Sequence, residues 1–566
     1  MARSSLGLLT AEYAKSALTN NPAITARRTA IGTQSPVSDH GPTEPTAPRV
    51  GDATSSTRVP LVLGLTFFSG MSILAVEITA SRLLAPFFGT STTIWAVVIG
   101  LTLLYLSIGY WIGGQLADRS PRESTLTHII ALAAFLTGLV PFIAGPILEV
   151  SSAAISNLSG GLFLGSFVGV LLLFSVPLTM LGMVSPFAIR LVTVDIQHAG
   201  RRAGQVYAVS TFGSIAGAFL PVLTLVPTFG TRLTFLLFAW LLLGLTALAA
   251  HSRLRRCLYI AFGVCLLILW LIIKPVSVRS ADGLVWEGES ALQFIQVIKD
   301  PSRGLRLVLN EGIGTHSIYN PDRILTEGPW DYFLLAPLVG RQSFADMDSL
   351  LIIGLGAGTV SKQFTTVYGP TVQIDGVELD PKVIELGQQY FDMTEQNLTA
   401  ITADGRTYLQ HSANRYNVIA VDAYRQPYIP FHLVTREFFE EARSHLSPNG
   451  VLALNAGRTK QDFRLVEALS STMKAVFPHV YVIDLPTGYN NSLIYGTIDP
   501  ITDGEIRDAA RATGAPALAK IVERPWLLRS VQGPTIVYTD DLAPVERLID
   551  DIIVREALGG AHGRQR

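Results

Sequence analysis

The sequence predicts a two-part fold: a multi-span α-helical membrane half, then an α/β half built on a parallel sheet. Two observations carry this. Residues 60–275 are strongly apolar, whereas 276–566 have the mixed composition of an ordinary soluble domain. Within the second part, short apolar strands alternate with helices, which predicts a sheet covered by helices on both faces. The whole-chain averages, 49% hydrophobic and 15% charged, blur this division.

Residues 1–58 are rich in Ser, Thr, Ala and Pro and show no apolar period, so they read as a disordered tail. They lack the apolar core and cleavage site of a signal peptide. Apolar runs follow near 60–81, 92–116, 126–148, 162–190, 206–228, 232–250 and 257–274. Each approaches or exceeds the roughly 20 residues that cross a bilayer, so about seven helices are predicted over 59–275. Gly109 and Gly113 stand four apart, as do Gly213 and Gly217, a spacing that lets helix backbones approach closely. Glu77 lies inside the first run and Arg82 near its end. An ionisable group at membrane depth is a functional candidate; the blander reading is a bond to a neighbouring helix, with Arg82 reaching the interface.

The expected location is a cell membrane, crossed several times, with the lipid bilayer as a partner. Seven spans place Arg58, Arg119, Arg122, Arg201, Arg202, Arg253, Arg255 and Arg256 on one side. The positive-inside tendency then puts the C-terminal half outside the cytoplasm, and a count off by one reverses this. The formal net charge of −1 gives no reason to expect a nucleic-acid partner. Cys257 and Cys265 both lie in an apolar run. The second half therefore has neither a disulfide framework nor a thiolate metal site, and no metal is expected.

Residues 276–340 read as a small β region, with a hairpin of Ala291–Lys299 and Leu305–Asn310 around Asp300–Gly304. Residues 341–500 carry the alternating strands and helices, and 501–566 read as a helical extension without a legible site. The first strand, from Ser349, runs into Gly354-Leu-Gly356-Ala-Gly358. The next ends at Glu378, the third leads to Asp404-Gly405, and the fourth stops at Asp422. Ligands of such sheets bind beyond the carboxyl ends of the strands, where all these groups fall. Glycine lets backbone approach a ligand closely. An acid at the end of the second strand is placed to grip two ribose hydroxyls. Asp404 is placed to accept from an adenine amino group, and Asp422 to sit over the reacting centre. A lone glycine loop says little; the four elements in order predict a nucleoside site. The competing reading is that the acids merely cap helices.

At these residues a resemblance becomes visible. Residues 285–457 resemble the spermidine synthase family, whose core is Rossmann-like (class I methyltransferase-like). The whole chain resembles the bacterial group that fuses membrane helices to such a domain, through LAVEITASRLLAPFFG (Leu74–Gly89), GGQLADR (Gly113–Arg119) and VDAYRQPYIPFHLVTREFF (Val421–Phe439). The resemblance implies transfer of an aminopropyl group from decarboxylated S-adenosylmethionine to a small amine, with no permanently bound cofactor. It implies that Asp422 takes the amine's proton, that Gln293, Gly354, Gly356, Gly358, Glu378, Asp404 and Gly405 hold the nucleoside, and that the protein is a homodimer.

Departures from the family pattern cluster on the amine side. Ala357 stands where the glycine loop normally has Asp, and Trp330-Asp331 where a Tyr-His pair usually precedes the helix. Arg425 stands where a second Asp follows the proton acceptor. Asp331, Tyr424, Arg425 and His432 are the candidate substrate contacts. Arg425 suits an anionic or carboxylate-bearing acceptor. Two alternatives follow: a transferase using S-adenosylmethionine itself with a non-polyamine acceptor, or a transporter or sensor whose nucleoside domain does not turn over.

Overall fold

The computed structural model describes residues 58–89, 92–155, 161–193, 196–273, 278–279, 281–310, 312, 314–424, 428–486 and 489–562. The expected tail and Arg425 lie outside the described residues.

The first half is helical: α1 (Val59–Phe88), α2 (Thr92–Arg119), α3 (Glu123–Ile155), α4 (Gly161–Gly182), α5 (Val184–Val192), α6 (Ala199–Leu220), α7 (Val226–Ala249) and α8 (Arg253–Ile272). Among the described residues, six helical runs are long and apolar enough to cross a membrane, by length and composition. The expected count was about seven. The difference lies in Ala199–Ala249, a 51-residue stretch that counts once, although a non-helical residue, Gly230, divides it between the two runs expected there. At about 1.5 Å per residue a straight rod of that length would far exceed a bilayer core of about 30 Å. Gly230, at φ 78° and ψ 167°, breaks the helical path. Both arms of the bent run pack on α1.

The two glycine pairs are packing devices. A Cβ on Gly213 or Gly217 would lie 2.0 Å from the Phe67 carbonyl or 1.9 Å from that of Met71, so α6 meets α1 backbone to backbone. Gly109 and Gly113 do the same for α2, where a Cβ would lie 2.3 Å from the Thr179 carbonyl oxygen or 2.6 Å from Met183 Cα. At one end of the bundle Arg58 N–H donates to Glu123 Oε1 (2.6 Å) and its guanidinium to the Ala249 carbonyl (2.9 Å). At the other end the bundle meets the β half. Glu289 accepts from Thr231 N (3.1 Å) and Thr231 Oγ1 (2.5 Å), directly after the break at Gly230.

A four-stranded antiparallel sheet follows, β1 (Leu284–Glu289), β2 (Phe294–Asp300), β3 (Gly304–Leu309) and β4 (Thr315–Tyr319), in sequential order. Two short helices, α9 (Trp330–Phe333) and α10 (Ala336–Val339), lead to the α/β core. That core runs β5 (Ser349–Ile353), α11 (Thr359–Tyr368), β6 (Gln373–Glu378), α12 (Pro381–Tyr390), β7 (Leu398–Thr402), α13 (Gly405–His411), β8 (Tyr416–Val421), α14 (Arg436–Ser444) and β9 (Leu446–Gly457). Then come α15 (Arg464–Lys474), β10 (His479–Asp484), β11 (Asn491–Thr497), α16 (Asp503–Ala512), α17 (Pro516–Glu523), β12 (Leu528–Ser530) and α18 (Val545–His562).

The eight strands are ordered β12-β10-β11-β9-β8-β5-β6-β7. Strands β5 to β9 are mutually parallel, while β11, β10 and β12 add antiparallel pairs. The sheet is thus mixed where a parallel one was predicted, and the C-terminal extension supplies a strand as well as helices. Strand residues alternate between faces. Leu350 and Ile352 join one buried cluster with Val418 and Ala420, and Leu351 and Ile353 join the other with Ile419 and Val421. Burial on both faces explains the unbroken apolar run in β5. Strand order reverses between β5 and β8, which opens a crevice at their carboxyl ends.

Candidate active site

Asp422 follows β8 directly, at this switch point. Its N–H donates to the Ile353 carbonyl (2.8 Å), so the end of β8 is tied to the end of β5. Gly354 must sit against it: φ is +91°, and a Cβ would lie 2.6 Å from the Asp422 carbonyl. The carboxylate is pinned from two sides. Trp330 Nε1 donates to Oδ2 (2.9 Å) and Asn455 Nδ2 to Oδ1 (2.8 Å). Asn455 is in turn fixed by Asn491 Nδ2 (2.9 Å), and its carbonyl accepts from the Tyr424 hydroxyl (3.0 Å). Burial pushes the Asp422 carboxyl up to about 7; the Asn455 and Trp330 hydrogen bonds pull the other way, and Glu378 adds repulsion.

Two cavities meet at this residue. One, of about 520 Å³, is lined by Gln293, Gly354, Gly356, Glu378, Asp404, Gly405 and His432, and reaches Asp422 and Tyr424. The other, of about 480 Å³, lies beyond Trp330 and is lined by Asn455, Tyr489 and three arginines. His316, Asp422 and Tyr424 line both.

In the first cavity Glu378 accepts from Gly356 N (2.9 Å) and Asp380 N (3.1 Å). Burial raises its carboxyl above the usual carboxylate range, against those backbone bonds. Asp404 caps α13 through Thr407 N (2.9 Å), and His432 Nε2 lies 3.0 Å from its Oδ2. Burial opposes ionisation of Asp404, but the Thr407 and His432 contacts hold its carboxyl below the usual range. Gln293 donates its amide to Asp380 Oδ2 (3.0 Å), which also accepts from Ser290 Oγ (2.6 Å). Asp380 is buried and caps α12, so it anchors Gln293 at the cavity wall.

Other predicted residues sit elsewhere. Gly358, at φ +87°, starts α11 and does not line this cavity. Asp331 was expected to face the acceptor, but it is fully buried and lines neither cavity. It accepts from Thr326 N and Oγ1, Glu327 N, Gln363 Nε2 and Arg524 Nη1 (2.8–2.9 Å) and so organises the local turn. His432 faces the nucleoside-side cavity. Ala357 is buried among Ile295, Val297 and Leu386, so that stretch offers no carboxylate.

Several residues were not among the candidate contacts: Trp330, noted only as a departure from the family pattern, and Asn455, His316, Asp380 and Trp95. Burial pulls the His316 imidazole down to about 4, so it is neutral near pH 7. Trp95 comes from α2 and lines the first cavity, so the helical half contributes to its wall. Asp380 had a readable signal: Asp followed by Pro at the start of a helix is an N-cap pattern.

Comparison with known proteins places the chain. Residues 339–501 match the family model for the spermine/spermidine synthase domain. A polyamine aminopropyltransferase of Vibrio vulnificus is 31% identical over 299 residues, 50% of this chain and 93% of that protein. The chain belongs to the spermidine synthase family. A probable polyamine aminopropyl transferase of Bifidobacterium longum is 34% identical over 298 residues, 48% of this chain; the chain spans 65% of that relative's length. A human eEF1A lysine and N-terminal methyltransferase is 29% identical over 180 residues, 29% of this chain and 25% of its own length.

Proposed function

We propose that this protein is a membrane-anchored transferase that moves an aminopropyl group from decarboxylated S-adenosylmethionine to an amine, with Asp422 as proton acceptor. The observation that carries this is the position of Asp422 in the wall between two cavities. Its neighbours on one side suit a nucleoside: Glu378 for the ribose, Asp404 for the base and Gln293 beside them. The other cavity gives an amine access to the same carboxylate.

The amine nitrogen attacks the carbon next to the sulfonium. The new N–C bond forms as the C–S bond breaks, and the sulfur keeps the electron pair, so methylthioadenosine leaves as a neutral thioether. The extra proton on nitrogen passes to Asp422 and then to water. A cationic leaving group needs little activation, so orientation and a base matched to neutral pH supply most of the catalysis. The six apolar helices support anchoring in a bilayer, and the Thr231–Glu289 contact supports a fixed position of the transferase half on them.

The test uses the full-length protein in detergent with decarboxylated S-adenosylmethionine and a panel of amines. Release of methylthioadenosine, lost in Asp422→Asn, is the expected result; undiminished release in that variant removes Asp422 from the mechanism. A second reading has S-adenosylmethionine itself as donor. The buried Ala357 and the methyltransferase relative favour it, and methylthioadenosine formation from the decarboxylated donor decides against it.

A further inference from the structure

The second cavity has the wrong charge for a polyamine. Its wall carries Arg303, Arg306 and Arg458, and Asp422 is its single carboxylate among the described lining residues. The guanidiniums are held mostly by neutral groups. Arg303 donates to the Tyr489 hydroxyl (3.0 Å) and lies over that ring. Arg458 donates to Ser492 Oγ (3.2 Å) and to the carbonyls of Thr459 (3.1 Å) and Leu485 (3.0 Å). Arg306 is the exception, ion-paired with Asp300 (Nε to Oδ2 3.6 Å), though its buried Nε makes no hydrogen bond. Asp484 attracts Arg458 through space, but it already accepts from Arg529 (3.1 Å) and Ser492 (2.6 Å). Asp331, which could have met an ammonium, is turned into the protein and paired with Arg524 (2.9 Å).

A diamine entering here would bring a second ammonium among three guanidiniums. An anionic group would instead find donors arranged for carboxylate recognition. Leu465, Ile549 and Ile552 complete the wall and suit the carbon chain between two polar ends. We infer that the acceptor is an amine that also carries a carboxylate, with its nitrogen presented to Asp422 and its anion held by Arg303, Arg306 and Arg458. This rests on the aminopropyl-transfer reading of the same site. The bond changes are those given above, and the carboxylate takes no part in them.

Matched pairs of amines test it. Ornithine is putrescine with one added carboxylate, and lysine stands in the same relation to cadaverine. With full-length protein and decarboxylated S-adenosylmethionine, kcat/KM for methylthioadenosine release should be at least tenfold higher for the carboxylated member of a pair. Arg458→Gln should abolish that preference through KM and leave the methylthioadenosine dissociation constant unchanged; Arg303→Gln, at a more exposed position, is the second variant if the first does not fold. Faster turnover of putrescine and cadaverine, unaffected by either substitution, overturns the inference and leaves the transfer reading standing. Tighter binding of S-adenosylmethionine than of the decarboxylated donor, lost in Arg458→Gln, assigns the anion to the donor and overturns it too. No methylthioadenosine from any amine overturns both readings.

Discussion

Trp330 Nε1 donates to Asp422 Oδ2 across 2.9 Å, joining a short helix ahead of the sheet to the carboxylate at its switch point. This bond favours the charged carboxylate, and burial opposes it strongly enough to hold the group at about 7. A base must be unprotonated to act. Turnover should therefore fall as pH drops through about 7, with a tenfold loss per pH unit below it. In Trp330→Phe the same limb should move to higher pH, because a donor to the charged form is gone. A pH profile of kcat for the two proteins checks both statements; coincident limbs would separate Trp330 from the titration.

Asp422→Asn should cost about 10²–10⁴-fold in turnover, the usual worth of a positioned base. It should also stabilise the protein at alkaline pH, and the sign follows from linkage. The unfolded carboxyl titrates at the ordinary value of about 3.9, and the folded one at about 7. Between these values the folded state holds the extra proton, so stability declines as pH rises through the window and the full cost remains above it. Asn removes that cost. Thermal unfolding should show a higher Tm for the variant at pH 8 and no gain near pH 4; equal Tm values at pH 8 would mean that Asp422 is not destabilised by its site.

Glu378 receives two backbone N–H groups and lines the first cavity. Hydrogen bonds to a charged acceptor are worth about 1.5–3 kcal/mol each. Loss of even one of the two ribose contacts in Glu378→Ala should thus weaken methylthioadenosine binding at least about 10-fold. Calorimetric titration of the folded variant measures this, and an unchanged dissociation constant would move the ribose elsewhere.

These residues were visible in the sequence because each stands at the end of an apolar strand, where the fold itself collects ligands. Gly354, Glu378, Asp404 and Asp422 need only strand order to be brought together. The second cavity has no such rule. Arg303 and Arg306 come from a hairpin, Arg458 from the end of β9 and Tyr489 from the approach to β11. Their convergence depends on how the small sheet docks, which no local pattern records. Trp330 and Asp331 show how narrow the margin is. Adjacent residues on a helical turn point about 100° apart; here one meets Asp422 and the other enters the core. The break at Gly230, by contrast, was legible, since it falls in the gap between the expected runs 206–228 and 232–250.

Glu289 and Thr231 test whether the helical half shapes the site. Burial pushes the Glu289 carboxyl up, and the Thr231 hydroxyl and N–H pull it down by favouring the charged form. Thr231→Ala removes the hydroxyl and leaves a buried carboxylate short of a donor, a loss of about 1–3 kcal/mol. The deficit should be larger at pH 8 than at pH 5, because only the charged form depends on that donor. Trp95 reaches the nucleoside-side cavity from α2 at the same end of the bundle. Loosening the junction should therefore weaken nucleoside binding as well, and Trp95→Ala should weaken it without lowering Tm by as much. Thermal unfolding and methylthioadenosine titration on the two full-length variants separate these effects. If both bind the nucleoside as tightly as the unaltered protein, the helices act as an anchor alone and the cavity is complete without them.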